Sequence, residues 1–306
     1  MKNGAIALLA FIIIFAAASA LAQTPPAGRL LKDGIARLQK GDLDNAISDL
    51  TRAIEINSLP GQNLSFSSRK YETSPFDDVV IVDPLNALAY FNRGLAWVAK
   101  GDLKRAHSDF DKAIRIDPRS TQAYIGRGRC RSATGDTDGA IADFTQAISL
   151  DRKSAIAYNN RGISRQAKDD YRGAIADFGT AISINPRLAE AYLNRGAARC
   201  ATADFSGAIA DLDHALEIQP ENAFAYNNRG KAHQLSGDLE KAIEDYSLAI
   251  RINPDHPFAY ANRGLTRLLQ GKSSDAERDF KRCLELKPEM KRDLSLLIEE
   301  LKASRQ

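Results

Sequence analysis

The sequence predicts an all-α solenoid of tandem helix-turn-helix repeats, because three kinds of residue recur together at one constant interval. A tyrosine, a glycine and an alanine each return every 34 residues over most of the chain. The members are Tyr90, Tyr124, Tyr158, Tyr192, Tyr226 and Tyr260, then Gly94, Gly128, Gly162, Gly196, Gly230 and Gly264, then Ala106, Ala140, Ala174, Ala208, Ala242 and Ala276. A fixed period of about 20–50 residues is the signature of repeat architectures, in which each unit packs on its neighbours.

Each interval has room for two helices of about 13 residues and a short turn. The turn reads Gly-Asp at three places, namely Gly101-Asp102, Gly135-Asp136 and Gly237-Asp238. Glycine can adopt the left-handed conformation that ends a helix, and aspartate can accept hydrogen bonds from the first free N–H groups of the next one. Gly94 and Ala106 lack bulk, so the two helices of a pair can cross closely. Stacking then buries the apolar stripe that a single pair leaves open.

Three further places of the interval complete the motif. A large residue follows each recurring alanine by four positions, a small residue follows three later, and proline closes most intervals. They are Phe110, Phe144, Phe178, Leu212, Tyr246 and Phe280, then Ala113, Ala147, Ala181, Ala215, Ala249 and Cys283, then Pro118, Pro186, Pro220, Pro254 and Pro288. This pattern resembles the tetratricopeptide repeat, and the resemblance covers nearly all of the chain after residue 26. It implies a right-handed solenoid of helix pairs whose first helices line a concave groove.

The resemblance also divides the chain into repeats. Six repeats in phase are expected at 87–120, 121–154, 155–188, 189–222, 223–256 and 257–290. A weaker first repeat at 27–60 keeps Gly34, Ala46, Leu50 and Ala53, but has Leu30 where the aromatic residue belongs. Places are counted below from the first residue of each repeat, so that the recurring tyrosine occupies the fourth place and the recurring glycine the eighth.

Two segments of the chain after residue 26 fall outside the repeats. An insertion is expected at 61–86, with an apolar run at Val79–Val82 that either folds onto the binding groove, pairs with a partner as a strand, or forms a mobile loop with a locally packed end. Residues 291–306 are expected to form a capping helix, because Leu294, Leu297, Ile298 and Leu301 have helical apolar spacing. The alternative for this tail is an amphipathic helix that binds a partner.

The first segment, 1–22, has the pattern of a signal peptide. Lys2 is followed by an unbroken apolar run, and Ala20-Leu21-Ala22 offers the small residues that a signal peptidase requires. The alternative is an uncleaved anchor, although the apolar run is short for a helix that must span a bilayer with about 20 residues. We expect an exported protein of the periplasm or the extracellular space.

Composition and motifs exclude several functional classes. The net charge is +3, with 42 basic and 39 acidic side chains, which is too small for a dedicated nucleic-acid binder. The sequence has no glycine-rich phosphate loop, no His-Glu-x-x-His and no Cys-x-x-Cys. Histidines stand at four different places of the repeat, and cysteines are expected to be too far apart to pair; they are His107, His214, His233 and His256, and Cys130, Cys200 and Cys283. We predict no metal, no cofactor, no nucleic-acid partner and no catalytic activity.

The sixth place of the repeat is the candidate binding site. It holds asparagine in five of the six regular repeats, namely Asn92, Asn160, Asn194, Asn228 and Asn262. An asparagine side chain offers both a donor and an acceptor, so a ladder of them can hold the backbone amides of an extended peptide. The arrangement resembles the asparagine ladder in the superhelix of the eukaryotic O-linked N-acetylglucosamine transferases, whose separate catalytic domain has no counterpart here. The alternative is that this asparagine is a consensus residue of the repeat without a binding role.

A second ladder is ionic. Arginine occupies the seventh place and aspartate the twenty-third in all six regular repeats: Arg93, Arg127, Arg161, Arg195, Arg229 and Arg263, with Asp109, Asp143, Asp177, Asp211, Asp245 and Asp279. We predict salt bridges across the interface of each helix pair, because the planar guanidinium can meet a carboxylate through two hydrogen bonds. The first repeat has Asp33 beside Asp49 and needs another partner for Asp49. The competing hypothesis is a basic stripe for an anionic polymer, extended by Arg131, Arg165, Arg199 and Arg267.

Together these observations predict a non-catalytic, exported scaffold or adaptor that binds a peptide or protein partner in its concave groove. The alternative is a self-associating structural component of the cell envelope.

Overall fold

The computed structural model describes residues 26–58 and 84–303. These residues form two compact units, the first ending at Ser164 and the second beginning at Arg165. The described residues contain fifteen α-helices, one short 3-10 helix and no strand. The predicted signal peptide, most of the predicted insertion and the last three residues lie outside the described residues. Within each unit, consecutive helices pack as antiparallel pairs and successive pairs pack side by side, so the predicted class of tandem helix-turn-helix repeats is confirmed.

The first unit contains three complete helix pairs and the start of a fourth. They are α1 (Pro26–Gln39) with α2 (Leu43–Asn57), α3 (Pro84–Lys100) with α4 (Leu103–Ile116), α5 (Thr121–Ala133) with α6 (Thr137–Leu150), and α7 (Ala155–Gln166), whose last two residues belong to the second unit. Helix α3 begins at Pro84, so the last three residues of the predicted insertion are helical. Proline suits the first position of a helix because its φ is already helical and its missing N–H would have no partner there.

The second unit continues the same pattern and ends in a single helix. It contains α8 (Tyr171–Ile184), α9 (Ala189–Ala201) with α10 (Phe205–Ile218), α11 (Ala223–Leu235) with α12 (Leu239–Ile252), α13 (Pro257–Leu269) with α14 (Ser273–Leu286), a 3-10 turn at Pro288–Met290, and α15 (Lys291–Ala303). Among the described helices, none is both long and apolar enough to cross a bilayer.

The turns within the pairs follow the predicted chemistry. Gly101 and Gly135 have φ values of 81° and 87°, a left-handed conformation that glycine adopts without strain. The side chains of Asp102 and Asp136 then accept hydrogen bonds from the backbone N–H groups three residues later, at 3.0 Å in both cases. Two other repeats reach the same conformation without glycine, at Asp169 and Ala203, which the spacing of glycines did not predict.

The crossings within the pairs explain the eighth-place glycines and the twenty-fourth-place large residues. A Cβ atom added to Gly128 would lie 2.8 Å from Cε1 of Phe144, so any larger residue would displace the ring. Phe144 is 1% exposed, and Ala140 and Ala147 on the same helix are fully buried. The large residue of each second helix therefore fills the space that the glycine of the first helix leaves.

Helix α15 covers the end of the last pair, although not with all of its predicted residues. Leu294 is 3% exposed and packs in a cluster with Phe280 and Cys283, and Ile298 and Leu301 adjoin this cluster. Leu297 was expected on the same face but is 47% exposed. Its neighbour Leu296 is 50% exposed, so the helix has a second apolar edge that faces solvent.

The three cysteines are free thiols, as the repeat spacing predicts. Cys130 and Cys283 are buried and Cys200 is half-buried. Burial raises the pKa of the Cys130 thiol to about 11, which keeps it protonated at neutral pH.

Helix α13 begins at an unusual cap that predicts a pH-dependent stability. Nδ1 of His256 accepts a hydrogen bond from the backbone N–H of Ala259 at 3.2 Å, and the residue is 3% exposed. Only the neutral imidazole can accept this bond, and burial lowers the pKa of His256 below its ordinary value of 6.5.

The imidazole of His256 binds a proton more readily in the unfolded chain than in the folded one. The contribution of His256 to the free energy of unfolding is therefore fully present above pH 6.5 and is lost as the pH falls through the folded-state pKa. We expect His256→Asn, which keeps a capping acceptor, to reduce the slope of Tm against pH below pH 6.5. The loss on protonation should be about 0.5–2 kcal/mol, the usual worth of a cap. Thermal melts of both proteins across this range test it, and parallel curves would contradict it.

Candidate partner-binding face

The predicted asparagines lie on the first helices, near the surface and in contact with the protein itself. Asn92 is 8% exposed, and its Nδ2 donates to the carbonyl oxygen of Leu88 on its own helix at 2.8 Å. Asn160, Asn194, Asn228 and Asn262 are half-buried. The amide of Asn92 is therefore partly engaged, whereas the other four keep a portion of their surface in solvent.

In the second unit an unpredicted residue links two of these asparagines. Nδ2 of Asn262 donates to Oδ1 of Asn227 at 3.0 Å, and Nδ2 of Asn227 donates to Oδ1 of Asn228 at 3.5 Å. Asn227 stands at the fifth place of its repeat and is 8% exposed. The amides of α11 and α13 therefore form a connected row, and the asparagine at the fifth place was the sequence signal for it.

Exposed apolar side chains recur at equivalent places of first helices in both units. Within the helix pairs, the exposed large apolar residues of the described chain are Ile163, Phe224, Leu235 and Phe258, and each belongs to a first helix. They stand at the ninth, second, thirteenth and second places. Intervals of seven and eleven residues return to nearly the same side of a helix with 3.6 residues per turn. We call the surface at the second, ninth and thirteenth places the first-helix face.

The predicted ion pairs bury a row of carboxylates between the helices of each pair. Nε and Nη2 of Arg195 donate to the two carboxylate oxygens of Asp211 at 2.9 and 2.6 Å, and Asp211 is 2% exposed. The same two-bond geometry joins Arg93 to Asp109, Arg127 to Asp143, Arg229 to Asp245, and Arg263 to Asp279. The prediction is confirmed for these five pairs.

A second arginine approaches most of these carboxylates. Arg131, Arg165, Arg199 and Arg267, all at the eleventh place, donate Nη1 to Asp143, Asp177, Asp211 and Asp279 at 2.7–2.9 Å. In the first repeat Arg37, at the same place, lies 2.8 Å from Asp49 and supplies the partner that this carboxylate needed. The hypothesis of a free basic stripe for an anionic polymer is wrong, because these guanidinium groups are paired with buried carboxylates.

The seventh-place arginines also reach back to the preceding repeat. Nη1 of Arg127 donates to Asp111 at 2.8 Å, and Nη1 of Arg229 donates to Asp213 at 2.6 Å. In other repeats a hydroxyl takes this role: Arg93 donates to Thr51, Arg161 to Thr145 and Arg263 to Ser247. Hydrogen bonds to Asp143 raise the pKa of Arg127 above its ordinary range, so its charge is permanent.

The described residues offer no group of three or more acidic, histidine or cysteine side chains that could hold a metal ion. His233 approaches Asp245 with Nε2 at 3.9 Å from a carboxylate oxygen, where five other repeats have the eleventh-place arginine. In the described residues, the first-helix face therefore offers apolar side chains beside the sixth-place amides.

Comparisons with known proteins agree with the repeat pattern. Family models described as tetratricopeptide repeat match residues 34–58, 87–120, 121–154, 223–256 and 259–290. No curated protein matches the chain.

Several solved structures share the fold. A tetratricopeptide repeat protein from Parabacteroides merdae is 18% identical, with a TM-score of 0.65 over 90% of this chain and 99% of that one. PilW, described as a widely conserved type IV pilus biogenesis factor, is 19% identical, with a TM-score of 0.63 over 69% of this chain and 98% of its own. The pilF protein of Pseudomonas aeruginosa is 17% identical, with a TM-score of 0.61 over 72% and 97% of the two chains. At these identities the likeness concerns the fold alone.

Proposed function

The chain belongs to the tetratricopeptide repeat family, and from this membership we propose that it is a non-catalytic, exported scaffold that binds an extended segment of a protein or peptide partner on its first-helix face. The repeats and the structural neighbours support a protein–protein interaction scaffold. The observation that carries the finer proposal is the distribution of exposed apolar side chains. Within the helix pairs of the described chain, Ile163, Phe224, Leu235 and Phe258 are all on first helices. Exposed apolar clusters on a folded protein commonly mark binding surfaces.

The asparagines supply the second part of the proposed site. The sixth place lies within about 60° of the second, ninth and thirteenth places on a helix with 3.6 residues per turn, so on each first helix the amide lies beside the first-helix face. A half-buried amide next to an apolar surface can exchange water for a backbone amide of a bound peptide, at about 0.5–1.5 kcal/mol for each hydrogen bond. In the proposed complex, apolar side chains of the partner segment therefore pack on the first-helix face, and its backbone amides form hydrogen bonds with the asparagines.

We expect simultaneous replacement of Asn194, Asn228 and Asn262 by alanine to weaken partner binding without unfolding the protein. Three lost hydrogen bonds at about 0.5–1.5 kcal/mol each correspond to roughly tenfold or more in Kd. The measurement is a crosslinking pull-down from the native envelope fraction, followed by titration of the recovered partner. The matched control replaces Ser183, Glu244 and Lys281, which are exposed on second helices, by alanine. Unchanged recovery and affinity in the asparagine variant would rule out the amide ladder.

Export has its own test. If residues 1–22 are a cleaved signal peptide, the mature protein in the envelope or medium begins at Gln23, which intact-mass measurement reports directly. A full-length mass in the membrane fraction would instead indicate the uncleaved anchor.

The alternative function, self-association, has one supporting observation in the second apolar edge of α15, where Leu296 and Leu297 are 50% and 47% exposed. Light scattering across a range of concentrations distinguishes the two proposals. A stable oligomer that dissociates on Leu296→Glu would favour self-association, and a monomer would favour the scaffold.

A further inference from the structure

The second unit has an apolar patch with a single cation at its centre. We call it the C-terminal patch and define it by Phe224, Lys231 and Leu235 of α11 and by Phe258 and Leu265 of α13. Phe224, Leu235 and Phe258 are 47%, 48% and 44% exposed, and Leu265 is half-buried. Lys231 is exposed as well. The three residues of α11 occupy the second, ninth and thirteenth places and therefore lie along one side of the helix.

Contacts between rings show that the two helices present their patch residues on the same side. The imidazole of His256 lies between the phenylalanines, with its ring centroid 4.9 Å from that of Phe224 and 6.3 Å from that of Phe258. The His256 ring is 3% exposed, so it acts as a buried spacer beneath two half-exposed rings. The patch is therefore continuous between α11 and α13 at its phenylalanine end.

The charges at this patch are positive. Lys231 stands between Phe224 and Leu235, and within the described residues no carboxylate lies within salt-bridge distance of its ammonium group. At the α13 end, Nζ of Lys287 lies 4.6 Å from the centre of the Phe258 ring. The nearest acidic residue in the loop before α13, Asp255, is paired with Arg282 at 3.3 Å. Glu190 occupies the second place of the preceding first helix, where the ninth and thirteenth places hold only alanines.

An unpaired lysine among half-exposed apolar groups is most favourably covered by a partner that brings both apolar surface and a carboxylate. Partial exclusion of water by the surrounding rings strengthens such a pair compared with one in open solvent. A basic partner would repel the ammonium group of Lys231, which costs binding free energy. A purely apolar partner would remove water from the ammonium group without replacing the lost hydrogen bonds, which is also unfavourable.

We propose that the C-terminal patch binds a peptide segment in which an acidic residue lies between apolar side chains, with the carboxylate on Lys231 and the apolar groups on Phe224, Leu235 and Phe258. This inference rests on the proposed function and specifies the chemistry of its partner. From Phe224 to Leu235 the helix rises about 16 Å, at about 1.5 Å per residue. An extended peptide covers that distance with about five residues, so the acidic and apolar residues must fall within a window of roughly six.

The experiment is a selection of peptides from a random phage-displayed library on the immobilised full-length protein, on Lys231→Glu, and on the control Lys281→Glu. Lys281 is exposed on the second helix α14, so its variant carries the same charge change away from the patch. We expect wild-type protein and Lys281→Glu to enrich segments with Asp or Glu near aromatic or aliphatic residues, and Lys231→Glu to enrich Lys or Arg at that position. A synthetic peptide from the wild-type selection should bind Lys231→Glu about tenfold or more weakly by fluorescence anisotropy.

The outcomes distinguish the inference about Lys231 from the proposed peptide-binding function on which it rests. If wild-type protein enriches peptides without acidic residues, or if Lys231→Glu enriches the same peptides as wild type, the inference about Lys231 is wrong while the peptide-binding function stands. If no variant enriches any peptide beyond the uncoated surface, peptide binding itself is contradicted. A second variant, Phe224→Ala, should weaken the same synthetic peptide without changing its charge preference, and thermal melts confirm that all variants remain folded.

Discussion

Replacing Asp211 by alanine should destabilise the protein more than any change at its surface, by about 3–5 kcal/mol. The carboxylate of Asp211 is 2% exposed and accepts three hydrogen bonds, two from Arg195 and one from Arg199. Both guanidinium groups are mostly buried, with side-chain exposures of 19% and 26%. Without the carboxylate, Arg195 loses both of its hydrogen bonds to Asp211, and Arg199 keeps only the longer contact with Asp204 at 3.4 Å and a bond to the carbonyl of Gly207. A mostly buried guanidinium that loses its counter-charge is the main source of the loss.

The measurement is the midpoint of urea unfolding followed by circular dichroism. Asp255→Ala is the control, because that carboxylate is 78% exposed and pairs with Arg282 in solvent; it should leave the midpoint almost unchanged. Equal midpoints for the two variants would show that the buried ion pairs contribute little and that apolar packing alone holds the helix pairs together.

Replacing Phe144 by alanine should cost about 3–5 kcal/mol, because it leaves a cavity at the crossing of α5 and α6. Its ring is 1% exposed and fills the space above Gly128, where an added Cβ would be only 2.8 Å away. The surrounding helices carry buried alanines at this crossing, so few neighbouring side chains can move into the space. Urea unfolding of the variant measures the loss.

Phe144→Leu is the matched control. The repeat at 189–222 has Leu212 at the equivalent place, packed against Gly196 with its Cγ 2.8 Å from where a Cβ would stand. A leucine should therefore be accommodated at a cost below about 1.5 kcal/mol. If alanine and leucine are equally well tolerated, the crossing is not close-packed in solution.

The repeat period predicts the helix pairs well, because glycine, alanine and aromatic residues at fixed places reflect contacts within one pair. The buried salt bridges could be predicted for the same reason, since Arg195 and Asp211 recur at constant spacing in every regular repeat. The partner of Asp49 was missed because Arg37 stands at the eleventh place rather than the seventh. The eleventh place is arginine in five of the seven repeats, and its spacing alone is equally compatible with an exposed basic stripe.

Other features of the structure depend on three-dimensional contacts that the spacing of the repeats does not specify. Asp169 and Ala203 adopt positive φ without glycine. The helix before each of them ends with the same backbone hydrogen bond as in the glycine turns, from Asp170 N–H to the carbonyl of Arg165 and from Asp204 N–H to the carbonyl of Arg199, and this bond holds the strained conformation. Leu297 fits the apolar spacing of α15 but is 47% exposed, because the residues of this helix that pack on the last pair are Leu294, Ile298 and Leu301. The link from Asn262 to Asn227 joins residues of different repeats, and its existence depends on how closely two first helices approach.

The contacts of the seventh-place arginines with the preceding repeat have a mechanical consequence for the row of helix pairs. In several repeats one guanidinium donates hydrogen bonds to a carboxylate on the second helix of its own repeat and to a polar group on the second helix of the preceding repeat. Arg229 does so with Asp245 and Asp213. Tension applied to such a chain is shared through each guanidinium by two adjacent hairpins. Within each unit, helix pairs should therefore unfold under load in groups rather than one at a time, a useful property for a scaffold of protein–protein interactions.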